Sequence, residues 1–77
     1  METQKEVAGL RKLRRDAGLT QTELAEKTGL SQQAVSDYEV GNRKPSLDAA
    51  EKLALGLDRP MEDIARAVKE QRLNESS

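Results

Sequence analysis

From about Thr3 to Ala17, the residues Val7, Leu10, Leu13, Arg14 and Ala17 share one face at spacings of three, four and seven, which predicts a helix. Gly18 ends it, and Leu19 is expected to fold back over the last turn as in a Schellman cap. Gly9 falls inside this span, where glycine costs roughly 1 kcal/mol relative to alanine. Either a neighbour packs closely there or the position tolerates the loss.

The stretch Thr20 to Gly41, TQTELAEKTGLSQQAVSDYEVG, reads as two short helices joined by a tight turn. Thr20 and Glu23 form a capping box that opens the first, because each side chain accepts an amide proton left unpaired in the first turn. Gly29 closes it at a point where the reversing chain needs a left-handed residue. Ser31 caps the next helix and Gly41 ends it. Ala25 and Val35, four residues before and six after Gly29, then face each other where the helices cross, which is helix-turn-helix spacing.

Asn42-Arg43-Lys44-Pro45 is a polar loop without periodicity, and Ser46 caps a fourth helix with Leu47, Ala50, Leu53, Ala54 and Leu57 on its core face. Leu55 lies outside that arc, as an exposed leucine or as a subunit contact. Asp58-Arg59-Pro60 marks the next boundary, with Asp58 as cap, since proline favours a first helical turn. A fifth helix carries Met61, Ile64, Ala65 and Val68 on one side, facing the core or a second copy of the chain, and runs to about Arg72. The organisation expected is one domain over residues 1–73 and a disordered tail over 74–77.

Composition narrows this to an aliphatic all-α core, with one Tyr, no Phe and no Trp among 77 residues. The absence of Cys and His removes disulfides, soft metal sites and Ser-His or Cys-His nucleophiles, so neither metal, cofactor nor enzymatic activity is expected. No apolar run reaches 18 residues and no signal peptide is visible, which predicts a soluble cytoplasmic protein. The net charge of −1 counts against nucleic acid when taken over the whole chain. Residues 1–44 hold eight Lys/Arg against seven Asp/Glu, and residues 45–77 hold five against seven. A nucleic-acid face must therefore be a local patch with weak long-range attraction.

Advancing about 100° per residue from Gln32 divides the third helix in two. Gln32, Gln33, Ser36, Asp37 and Val40 form one arc, and Ala34, Val35, Tyr38 and Glu39 form the opposite one. The first arc points outward, as the solvated side of a surface helix or as a reading face. Gln pairs with adenine N6 and N7, Ser meets several bases and Asp accepts from cytosine N4, so these residue types suit the major groove. Gln21, at the start of the preceding helix, is placed to meet a phosphate, which helix N-termini favour. Arg43 and Lys44 are either backbone grips or ordinary loop charge.

The run Gly18 to Ala54 resembles the helix-turn-helix of the phage repressor and Cro type, the Xre family. The Leu-Thr-Gln opening, the Gly-Leu-Ser turn, the Tyr-Glu-x-Gly ending and the Arg-Lys-Pro-Ser loop occur in order and at family spacing. The resemblance implies a compact five-helix domain, usually dimeric, whose third helix enters the major groove of double-stranded DNA. By position, Gln32, Gln33, Ser36 and Asp37 would face bases. Gln21, Asn42, Arg43 and Lys44 would meet phosphates, Gln21 also bonding Gln32. Arg14 and Glu39 would form a structural ion pair locking the first helix to the third. Val40 stands where the family often has a polar residue, and Asp37 is unusual beside phosphate unless it meets a cytosine amino group.

These observations lead to an expected homodimeric transcriptional regulator on a palindromic operator, with no membrane or small-molecule partner. From its length the chain is expected to lack a ligand-sensing domain. The alternatives are an antitoxin, with the acidic fifth helix and tail as its toxin-binding segment, or a coactivator that uses the same fold to bridge proteins.

Overall fold

A computed structural model of the chain describes residues 9–76, with side chains as far as Glu70. Five helices follow in order, α1 Leu10–Asp16, α2 Gln21–Thr28, α3 Gln32–Val40, α4 Leu47–Leu57 and α5 Met61–Ser76, and the described residues contain no strand. The chain is all-α, and each short helix is closed by local chemistry.

Thr20 Oγ1 accepts the Glu23 amide at 3.0 Å, while Glu23 Oε1 accepts the Thr20 amide at 2.9 Å, completing the capping box of α2. Ser31 and Ser46 accept the amides of Ala34 and Ala49 at 3.0 and 3.1 Å at the starts of α3 and α4. Gly29 and Gly41, at φ 80° and 86°, supply the left-handed residues that let the chain reverse. After α1 the Leu19 amide reaches the Arg14 carbonyl at 3.2 Å, with Gly18 left-handed between them.

The core gathers Leu10, Leu13, Leu24, Val35, Leu53 and Ile64, each fully buried, with Tyr38 and small alanines between them. Ala25 and Val35 are both buried at the crossing of α2 and α3. Gly56 lies inside α4 and is buried against α2, where a Cβ would stand 2.6 Å from Thr28 Cγ2. The Thr28 hydroxyl donates to the Leu24 carbonyl at 2.8 Å, so its methyl is held in that position.

Several expectations from the pattern change in three dimensions. Gly9 lies outside the helix that the pattern placed around it, at φ 152° just before Leu10, and the part expected over residues 3–8 lies outside the described residues. Ala17 ends α1 as an exposed cap rather than joining the core. Leu47 is 71% exposed, and Ala49 and Gly56 are buried instead. The buried arc of α4 has rotated because the helix packs on α2 through the bare backbone of Gly56. Among the described side chains of α5 the buried residues are Ile64 and Ala67, while Ala65 is exposed and Met61 is 37% exposed. Ala67, rather than Ala65, joins Ile64 in the core.

Asp58 does not cap α5. It ends α4 in the left-handed conformation, φ 58°, with the Arg59 amide returning to the Ala54 carbonyl at 2.9 Å. With neither glycine nor proline after Arg72, α5 continues to Ser76. Between α4 and α5 lies an open groove of about 710 Å³, lined by Leu47, Met61, Ala65 and Val68 together with Lys44 and Lys69. Leu55, at 83% exposure, faces solvent. Among the described residues no helix is long and apolar enough to cross a membrane.

Candidate nucleic-acid interface

The two arcs of α3 separate as their polarity requires. Ala34, Val35, Tyr38 and Glu39 are buried, Gln32, Gln33 and Val40 are exposed, and Ser36 and Asp37 are half-buried. The apolar members hold the helix to the core. Glu39 is the exception, because a carboxylate is buried in an aliphatic interior only when its charge is matched and its lone pairs are used.

Glu39 has both. Its side chain is 1% exposed, and Arg14, itself 13% exposed, clamps it with Nε on Oε2 at 2.5 Å and Nη2 on Oε1 at 3.2 Å. The third guanidinium nitrogen, Nη1, donates to the Leu19 carbonyl at 2.9 Å, so Arg14 also pins the chain entering α2. Gln21 Nε2 donates to Glu39 Oε1 at 3.0 Å, and Arg11 Nε stands 3.9 Å from the same oxygen. Side chains of α1 and α2 thus meet on one carboxylate of α3. Such a fork between planar groups fixes orientation as well as charge.

This arrangement corrects one expected contact. Gln21 bonds Glu39 rather than Gln32, because the buried carboxylate is the stronger acceptor within its reach. Gln32 Oε1 instead accepts from Thr22 Oγ1 at 3.1 Å. Thr22 and Arg11 were absent from the sequence-derived set. Arg11 falls on α1, outside the motif, and Thr22 sits at the second position of α2, where no local rule marks it.

Further along the outer arc, Gln33 Nε2 donates to Asp37 Oδ1 at 3.1 Å. Asp37 Oδ2 lies 3.7 Å from Arg43 Nη1, and the Arg43 guanidinium lies over the Tyr38 ring, 5.5 Å from its centre. Asn42, Arg43 and Lys44 are exposed on the loop that leaves α3. Gln21, Gln32, Gln33, Asp37 and Arg43 are therefore each tied to a neighbour before any ligand arrives, and the outer face of α3 is preorganised.

Two short helices crossing at a left-handed glycine, the second showing a polar arc outward and an ion-paired arc inward, make a helix-turn-helix. The sequence model of the family described as Helix-turn-helix matches residues 10–64. An uncharacterized HTH-type transcriptional regulator of Methanothermobacter thermautotrophicus is 43% identical over 56 residues, covering 71% of this chain and 81% of that protein. The chain belongs to the helix-turn-helix family of Xre type, a family of DNA-binding regulators of transcription.

Proposed function

We propose that the chain is a sequence-specific transcriptional regulator that binds a palindromic operator as a homodimer, with α3 in the major groove. The observation that carries this reading is the division of α3. Gln32 and Gln33 stand exposed on a helix whose opposite face is anchored by the Arg14 and Glu39 pair. A rigidly held helix with outward amides suits bidentate reading of base edges. In this reading Ser36 supplements the glutamines, and Asn42, Arg43 and Lys44 grip phosphates beside the groove. Gln21 adds a phosphate contact at the start of α2, polarised by the carboxylate it already bonds. The protein works by binding rather than by catalysis, in the cytoplasm.

The dimer supplies the symmetry. Exposed Leu47 and Leu55 and the groove between α4 and α5 provide apolar surface for a second copy. The same surface favours the second reading, an antitoxin or protein-bridging module with a protein partner. Selection of bound duplexes from a random pool tests the first. The expected result is an inverted repeat with half-sites about one helical turn apart. Recovery of unrelated sequences, together with a protein partner whose binding survives Gln33→Ala, supports the second reading instead.

A further inference from the structure

Asp37 sits on the outer arc of α3, yet its side chain is only 18% exposed and both of its oxygens are engaged by the protein. Gln33, one turn earlier, donates Nε2 to Oδ1 at 3.1 Å, and Arg43 brings Nη1 to 3.7 Å from Oδ2. The main chain of the same residue is used as well. Its carbonyl accepts the amides of Gly41 and of Asn42, the latter at 2.9 Å, and lies 3.4 Å from that of Arg43. One residue therefore holds an amide of the reading helix and the first cation of the loop behind it.

The chemistry of the pair fixes an orientation. An ionised carboxylate only accepts, so a side-chain amide beside it must present nitrogen, because the opposite setting brings oxygen against oxygen. Gln33 consequently gives one Nε2 proton to Asp37 and keeps its Oε1 and second Nε2 proton for a ligand. An acceptor beside a donor is the pairing that adenine N6 and N7 require. Meanwhile the negative charge that would repel phosphate is matched by Arg43, which is itself steadied over Tyr38.

We infer that Asp37 is a positioning residue, which orients the Gln33 amide toward an adenine-like edge, and is not itself a reader of cytosine. This rests on the DNA-reading function proposed above and reassigns one of its residues. Asp37→Asn keeps the shape but offers Gln33 either oxygen or nitrogen, so the amide loses its fixed direction. Asp37→Glu keeps an acceptor within reach.

The test measures affinities for duplexes varied one base pair at a time within the selected site. Asp37→Asn is expected to lose roughly fivefold or more of the parent's discrimination at the base pair whose preference Gln33→Ala removes. Random-sequence duplex should bind as well as or better than before, because a carboxylate has gone. Asp37→Glu should retain the discrimination. In the free protein, the Gln33 side-chain amide resonances should move in Asp37→Asn. Loss of preference at a different base pair with that of Gln33 intact, an equal loss on all duplexes, or unmoved amide resonances would each overturn the inference. A parent with no sequence preference defeats the DNA-reading function itself, which the parent's own binding profile distinguishes from failure of the Asp37 assignment.

Discussion

Arg14 and Glu39, 25 residues apart in sequence, form a forked ion pair beneath α3, with the carboxylate almost wholly removed from water. Removing either partner strands the other, but unequally. Without Arg14, Glu39 keeps the Gln21 amide and a distant Arg11, inside the protein. Without Glu39, Arg14 keeps the Leu19 carbonyl and more access to water. Arg14→Ala is therefore expected to lower stability by about 3–5 kcal/mol, and Glu39→Ala by less. Urea titration of both variants measures the difference, and indistinguishable melts of Arg14→Ala and the parent would exclude it.

Gly56 reverses the usual rule for helix interiors. Alanine there gains about 1 kcal/mol of helix propensity. The new Cβ would meet Thr28 Cγ2 at 2.6 Å, and that methyl is held by the hydroxyl's bond to the Leu24 carbonyl. Overpacking of this kind costs about 1–3 kcal/mol, so Gly56→Ala should be net destabilising. Thr28→Ser removes the methyl and keeps the hydroxyl. In that background Gly56→Ala should become neutral or stabilising, and a double-mutant cycle by thermal melting reads the change of sign.

Asp58 holds α4's terminal left-handed position without being glycine. A residue with Cβ is disfavoured there, although Asp is among the better tolerated. Asp58→Gly should stabilise the fold by about 0.5 kcal/mol once the freedom of glycine in the unfolded chain is counted. A scanning-calorimetry Tm below that of the parent would contradict this.

DNA binding should separate readers from grips. Gln33→Ala is expected to relax preference at one base pair of each half-site by about 1–3 kcal/mol while leaving random DNA little affected. Lys44→Ala should weaken all duplexes about equally and reduce the slope of log affinity against log salt by about 1. Fluorescence anisotropy across a salt series distinguishes the two patterns.

Sequence reading reached furthest where the controlling chemistry is local. The Thr20 and Glu23 box, the Gly29 and Gly41 reversals and the Ser31 and Ser46 caps lie within a few residues of what they satisfy. The two arcs of α3 were legible because one helix period sets them. Burial on α4 and α5 was legible only in part: Leu53, Ala54, Leu57 and Ile64 are buried as the pattern expects, whereas Leu47 and Ala65 are exposed, since core faces depend on neighbours and the missing side chain at Gly56 turned the contact toward α2. Asp58 misled because Asp serves at either end of a helix. Thr22 with Gln32, and Asp37 with Arg43, required coordinates, as no spacing rule relates a helix's first turn to another helix or its side chain to a following loop.

Tyr38 is the chain's only aromatic residue, and it is buried with the Arg43 guanidinium over its ring. The molecule therefore carries a single built-in chromophore at the junction of the core and the loop behind α3. Its emission reports unfolding when the core opens. If Arg43 grips phosphate as proposed, its departure from the ring on DNA binding should change that emission as well, so a label-free titration can follow both events from one site.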